Sequence, residues 1–114
     1  MTVTITDRNR WHLRTVRALA DLAESALKAQ RHPLDWTVTD GGQLVGKVSL
    51  CSGLSQADRR SLFEEWAHVL DATPPSETKP YDGAVRLTAA FSLPTGYDTV
   101  RGTIQAVFDV AGEE

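Results

Sequence analysis

Residues 85–110, VRLTAAFSLPTGYDTVRGTIQAVFDV, decide the fold because two alternating runs flank a turn sequence. Apolar residues or glycine occupy every second position on each side of residues 94–96, Pro-Thr-Gly, and mostly polar or small residues lie between them. Alternation with a period of two is typical of a strand that buries one face, and proline and glycine favour a turn. The stretch therefore predicts a β-hairpin in an antiparallel sheet that is covered on one side only.

A second hairpin is predicted earlier in the chain. Leu34, Trp36 and Val38 alternate with polar residues, and residues 40–42, Asp-Gly-Gly, tolerate the backbone angles of a tight turn. The return strand is predicted over residues 43–51, where the apolar positions again alternate. Both hairpins thus offer one apolar face to a common core.

Two amphipathic helices alternate with these hairpins. Apolar side chains recur at helical spacing over residues 8–30, where Asp7 is the predicted N-cap and Pro33 ends the helix. Ser55 is the predicted N-cap of the second helix, which ends before Pro74. The predicted apolar stripe of the first helix comprises Trp11, Leu13, Val16, Leu19, Ala20, Ala23, Ala26 and Leu27.

The order of these elements predicts an α+β fold. Two helices and two hairpins bury their apolar faces economically as a two-layer sandwich, with both helices on one face of an antiparallel sheet of four or five strands. Val3 and Ile5 alternate with threonines over residues 2–6, which predicts a short first strand and the order (β)αββαββ. With that strand counted, the alternative is a ferredoxin-like fold with one added C-terminal strand.

The 114 residues, 41% of them apolar and 24% charged, are enough for one domain, 1–114, with one core. Residues 76–83 are predicted to form a mobile loop, and residues 111–114 a frayed acidic tail. The predicted core consists of Val16, Leu19, Leu27, Trp36, Val48, Leu62, Trp66, Leu70, Leu87, Phe91, Ile104 and Phe108.

The sequence also bears on the cellular compartment. No apolar run approaches the roughly 20 residues that span a bilayer, and the first residues lack the pattern of a secretory signal. Cys51 is the single cysteine, so neither an internal disulfide nor a cysteine-rich zinc site can form. We therefore expect a cytoplasmic protein without cofactor or metal.

Basic residues are concentrated at the start of the chain. The net charge is -3, yet residues 1–31 contain six basic and three acidic side chains. Arg10, Arg14 and Arg17 align along one helix surface, Trp11 lies beside them, and arginine and tryptophan often dominate the energy of protein interfaces. These four residues predict a partner-binding surface, which the outward sheet residues Arg86 and Arg101 would extend. The predicted function is that of a protein-interaction or regulatory accessory module without catalytic activity.

Two other functions compete with this hypothesis. The same basic helix could bind nucleic acid, although no nucleic-acid-binding motif is recognisable. A small enzyme or ligand-binding protein would be centred on Cys51 and the N-terminus of the second helix, where the helix dipole favours a thiolate or an anion. The sequence contains no recognisable set of nucleophile, base and orienting group. Glu64 and Glu65 lie four and three residues before His68, but they form only one of the several such sets that a carboxylate metal site requires. Both observations favour a protein that is not an enzyme.

Self-association is a further expectation. Either the strand at residues 85–93 or the last strand, at residues 100–110, is expected at an open sheet edge, so a homodimer could form by strand pairing or by helix contacts. Residues 36–38, Trp-Thr-Val, leading into residues 42–46, Gly-Gln-Leu-Val-Gly, make the chain similar in general appearance to small proteins of high-GC bacteria and their phages or plasmids. That resemblance implies a protein that works by contact and assigns no residue a role.

Overall fold

A computed structural model describes residues 4–49, 53–95 and 98–109, which form two α-helices and a five-stranded mixed sheet. The predicted α+β class is therefore confirmed. In chain order the elements are α1 (Ile5–Ala29), β1 (Asp35–Val38), β2 (Leu44–Lys47), α2 (Gln56–Val69), β3 (Ser76–Thr78), β4 (Ala84–Thr95) and β5 (Asp98–Asp109). Neither of the helices so described is long and apolar enough to cross a membrane.

The strand order is β1-β2-β5-β4-β3, and the prediction of a wholly antiparallel sheet is wrong at one place. The two predicted hairpins, β1–β2 and β4–β5, are antiparallel, whereas β2 and β5 run parallel with Leu44 beside Gly102. A hairpin turn forces antiparallel pairing, but the relation between two hairpins depends on the connection between them. Here that connection carries the chain through α2, β3 and β4 before β5 begins.

The start of the chain also differs from the prediction. Thr4, rather than Asp7, caps α1, because its Oγ1 accepts a hydrogen bond of 3.0 Å from the Asp7 backbone N–H. Residues 5 and 6 therefore belong to the helix and cannot form the predicted first strand, while residues 2 and 3 lie outside the described part of the chain. Without this strand the ferredoxin-like alternative loses its first element.

The fifth strand comes from a different segment. β3 lies within residues 76–83, which were expected to form a loop, and it pairs antiparallel with β4 from Ser76 opposite Thr88 to Thr78 opposite Arg86. All three of its residues are exposed, so no apolar pattern marked it as a strand. The predicted tail, residues 111–114, lies outside the described residues.

Helix α2 begins as predicted and covers the sheet with large side chains. Ser55 Oγ accepts a hydrogen bond of 3.1 Å from the Asp58 backbone N–H, which confirms the N-cap. Trp66 is buried edge-on against Trp36 of β1, with ring centroids 5.7 Å apart, and its indole N–H donates to the His32 carbonyl at 3.0 Å. Trp66 thus holds α2 against the first hairpin through its ring contact with Trp36, and its indole N–H is also hydrogen-bonded.

Ten of the twelve predicted core residues pack in or against one hydrophobic cluster. Leu19 and Trp36 are partly buried against it, and the fully buried members are Val48, Leu62, Trp66, Leu70, Leu87, Phe91, Ile104 and Phe108. The two others, Val16 and Leu27 of α1, are wrong: their exposed fractions are 39% and 79%.

The reason is the rotation of α1 about its own axis. The buried residues of this helix are small, namely Thr15, Ala18 and Ala26, which lets the helix approach the sheet closely. The Thr15 hydroxyl lies 2.6 Å from the Gly42 carbonyl oxygen in the β1–β2 turn and 2.8 Å from the Trp11 carbonyl oxygen. A fully buried hydroxyl needs such partners, so this contact selects the face that α1 turns inward.

Strand β5 lies between β2 and β4, so the expected open edge at residues 100–110 is contradicted from Gly102 to Asp109, whereas residues 98–101 extend beyond β2. Beyond the end of β2, side chains of α2 form hydrogen bonds with the backbone of β5. The Gln56 amide accepts from the Asp109 backbone N–H at 2.8 Å and donates to its carbonyl at 3.1 Å, and Arg59 donates to the Val107 carbonyl at 3.0 Å. These side chains form hydrogen bonds with backbone groups of β5 that an additional strand would need for pairing.

The outer side of β4 is covered in a similar way as far as Ala90, so the expected edge at residues 85–93 is contradicted over that part of the strand. β3 pairs with its first half, and beyond β3 the Thr73 backbone N–H donates to the Ala90 carbonyl at 2.8 Å. The Ala90 backbone N–H donates in turn to Thr73 Oγ1 at 3.1 Å. Pro94, which the structure includes in β4, has no N–H to offer a further strand. The sheet ends instead at the short strands β1 and β3.

Candidate partner-binding groove

The main functional candidate is a groove of about 510 Å³ between α1 and the end of the β4–β5 hairpin. Three of the predicted site residues, Arg10, Arg14 and Arg17, line the α1 side, and Asp21 follows them along the helix. Their spacing places them on one helix surface, as the sequence predicted. The apolar part of the lining consists of Leu13, Ala18, Leu22, Leu93 and Pro94.

The length of the second hairpin creates this groove. β4 and β5 contain 12 residues each, but β2 pairs with β5 only from Gly102 onward and β3 pairs with β4 only up to Thr88. The end of the hairpin therefore extends past both neighbouring strands. Leu93 has the same strand parity as the buried Phe91, so it faces α1 and closes the groove on the side opposite the arginines.

The charge of the groove is opposite in sign to that of the whole chain. Arg10 and Arg17 are exposed and Arg14 is half-buried, and each contributes a positively charged guanidinium group. Among the described residues of the lining, Asp21 is the one that is acidic, whereas the chain as a whole carries a net charge of -3. The groove thus combines a basic rim with an apolar floor.

The other predicted site residues lie elsewhere. Trp11 is half-buried on the inner side of α1, where a Cβ on Gly42 would be 3.3 Å from the Trp11 Cβ. Arg86 and Arg101 alternate with buried residues, so they lie on the sheet face opposite the helices. Arg86 is opposite Val107, six residues beyond Arg101 along β5, which separates the two arginines by about 20 Å. The structure therefore brings three of the six residues together.

The open face of the sheet bears on the nucleic-acid alternative. Its described strand residues are mainly threonine, other polar residues and small apolar residues, and none is aromatic. Proteins that bind single strands without sequence preference usually stack bases on aromatic side chains. The two arginines on this face therefore lack the stacking partners of such a site.

The described residues contain no constellation suited to catalysis by a metal. No group of three or more His, Cys, Asp and Glu side chains in the described ranges could hold a metal ion. Glu65 contacts Arg31 instead, with Oε2 accepting from Nε at 3.0 Å, and Arg31 also lies 5.1 Å from the ring centroid of Trp66. Cys51, the centre of the enzyme alternative, lies outside the described residues.

Comparisons with known proteins add no family to this description. No protein-family model matches the chain, and no match is found among curated proteins or among solved structures. The class of the protein is therefore defined by its fold and its groove: an α+β domain with helices on one sheet face and a basic, apolar groove beside α1.

Proposed function

We propose that this protein is an interaction module that binds an acidic, apolar segment of a partner protein in the groove beside α1. The supporting observation is that Arg10, Arg14 and Arg17 line a groove whose floor is apolar. Carboxylates of a partner would pair with the arginines, and its apolar side chains would cover Leu13 and Leu22. Arginine recognises carboxylates with two parallel hydrogen bonds, which gives both affinity and orientation.

The size and chemistry of the groove favour a peptide segment. Its volume of about 510 Å³ lies within the roughly 300–1,000 Å³ usual for binding clefts, and its lining extends along α1 from Arg10 to Leu22. A nucleic-acid backbone would satisfy the arginines, but it would place phosphates near Asp21 and leave Leu93 and Pro94 without apolar partners. An acidic segment with apolar residues uses both parts of the lining.

The test uses a short fluorescein-labelled peptide of glutamate, leucine and alanine, with lysine replacing glutamate in a second peptide. Fluorescence anisotropy should show that the acidic peptide binds at physiological salt and the basic peptide does not. Arg10→Glu combined with Arg17→Glu should weaken acidic-peptide binding at least about tenfold, because attraction becomes repulsion at both exposed positions. Circular dichroism should confirm that the fold survives.

The matched control is Arg86→Glu combined with Arg101→Glu, which changes the net charge equally but on the opposite sheet face. This variant should bind the acidic peptide like the unmodified protein. Equal loss of binding in both double variants would show that overall charge, and not the groove, attracts the peptide. Tighter binding of random DNA or RNA, with a steep salt dependence that the Arg10 and Arg17 changes abolish, would favour nucleic acid instead.

A further inference from the structure

Helix α1 carries a second apolar face that its contact with the sheet does not use. This outer stripe consists of Leu13, Val16, Ala20, Ala23 and Leu27, and all five residues are exposed. The exposed fractions of Leu13 and Leu27 are 49% and 79%. Successive members are separated by three, four, three and four residues, which is the spacing of the contact positions in a helix-helix seam.

The inner face of α1, which contacts the core, points in a different direction about the helix axis from the outer stripe. Thr15, Ala18 and Ala26 face the core, and at 100° per residue their mean direction differs from that of the outer stripe by about 130°. The core therefore leaves the outer stripe uncovered. A row of apolar side chains over four helical turns on a solvent face marks an interaction surface.

The charges beside the outer stripe are self-complementary. Arg17 and Glu24 flank it on the same side and are seven residues apart. If a second α1 runs antiparallel across the stripe, Arg17 lies beside Glu24 of the partner subunit, and the two-fold axis repeats the pair. A parallel arrangement would instead place Arg17 beside His12 and Glu24 beside Leu19, with no complementary pair.

The sizes of the stripe residues fit the same arrangement. In the antiparallel register that pairs these charges, Ala20 lies across from Ala23 of the partner subunit, and Val16 lies across from Leu27 of the partner subunit. Small residues at the centre allow the two helices to approach at the short end of the usual range of about 8–10 Å. The larger residues then cover the ends of the seam.

Strand pairing offers this chain a poorer route to self-association. Side chains of Gln56 and Arg59 bond to the β5 backbone at Asp109 and Val107, and Thr73 bonds to the β4 backbone at Ala90. The two strands at the sheet edges, β1 and β3, have only four and three residues. Short edge strands are one way in which proteins avoid pairing edge to edge.

We infer that the outer stripe is the interface of a homodimer, in which α1 packs antiparallel against α1 of a second copy. This inference goes beyond the proposed groove and does not require it. Leu13 and Arg17 border both surfaces, whereas Ala20, Ala23 and Leu27 belong to the stripe alone. Variants can therefore separate the two.

Sedimentation equilibrium over a range of protein concentrations measures the association directly. The unmodified chain should approach twice its monomer mass of 12.5 kDa as concentration rises. Ala20→Glu combined with Ala23→Glu keeps good helix formers but places four carboxylates in the seam, so the dimer should be lost. The control, Ala57→Glu combined with Ser61→Glu on the exposed side of α2, should leave the dimer intact. A chain that stays monomeric at every concentration, or a dimer that survives the seam variant, overturns the inference.

A charge-swap experiment tests the orientation. Arg17→Glu alone and Glu24→Arg alone should each raise the dimer dissociation constant about tenfold, because the symmetry places two like-charge contacts at the interface. The double variant, Arg17→Glu with Glu24→Arg, should restore dimerisation to near the unmodified level. Failure of the double variant to recover overturns the antiparallel arrangement, and peptide binding by the seam variant Ala20→Glu/Ala23→Glu reports on the groove separately.

Discussion

Replacement of Gly102 by alanine should destabilise the fold more than any other glycine-to-alanine change in the strands. Gly102 lies in the central strand, opposite Phe91 of β4 and beside Leu44 of β2. A Cβ at this position would overlap the Phe91 ring at Cζ and would lie 2.6 Å from the Leu44 carbonyl oxygen. The ring can shift only within a packed core, and the carbonyl can shift only if the β2–β5 pairing moves.

Gly46 provides an informative comparison. A Cβ there would lie 2.8–3.0 Å from three atoms of the Trp36 ring, but no backbone atom is among its three nearest neighbours. Trp36 is half-buried, so its ring can yield more easily than a paired strand. We expect Gly46→Ala to cost about 1.5 kcal/mol and Gly102→Ala about 3 kcal/mol, at the lower and upper parts of the usual range for overpacking.

The assay is urea and thermal unfolding followed by tryptophan fluorescence and circular dichroism. For a domain of 114 residues, 1 kcal/mol corresponds to about 4 °C in Tm, so Gly102→Ala should lower Tm by about 12 °C. Gly41→Ala is the control, because the nearest atom to its Cβ would be Thr39 Oγ1 at 4.0 Å. If Gly102→Ala and Gly41→Ala unfold at the same urea concentration, the close packing of β2 against β5 inferred from the structure is refuted.

Three further changes probe separate contacts by the same unfolding measurements. Thr15→Val should cost about 1–2 kcal/mol, because it preserves shape but removes the hydroxyl beside the Gly42 carbonyl; a change below about 0.5 kcal/mol would mean that this contact does not hold α1. Gln56→Ala should cost about 1 kcal/mol through loss of both hydrogen bonds to the Asp109 backbone, and hydrogen exchange at the Asp109 amide should accelerate; unchanged exchange would contradict the edge-covering role. Phe91→Ala should cost about 3–5 kcal/mol because the ring is almost completely buried, and a loss below about 1 kcal/mol would contradict its place in the core.

The candidate groove illustrates how far the sequence alone could reach. The spacing of Arg10, Arg14 and Arg17 places them on one helix surface whatever the rest of the chain does, so that half of the groove was predictable. The opposite wall, formed by Leu93 and Pro94, was not, because it depends on how far the hairpin extends beyond its neighbours. The sequence feature that bears on this extension is length: the two alternating runs of the second hairpin are longer than those of the first hairpin.

The same distinction between local and distant contacts applies to the fold. Alternation along β4 and β5, the Ser55 cap and the turn at residues 40–42 each depend on a few neighbouring residues, and these features are readable in the sequence. The parallel pairing of β2 with β5 is different, because the residues that meet there are separated by the whole of α2, β3 and β4.

Helix α1 shows this distinction most clearly. The sequence by itself determined that residues 8–29 are helical, but it supplies two apolar faces that both satisfy the helical period. Only the tertiary structure decided between them, because close approach to the sheet requires small side chains and the hydroxyl of Thr15 requires the Gly42 carbonyl. Leu13, Val16 and Leu27 face outward for that reason, since apolar area favours burial without specifying what must cover it.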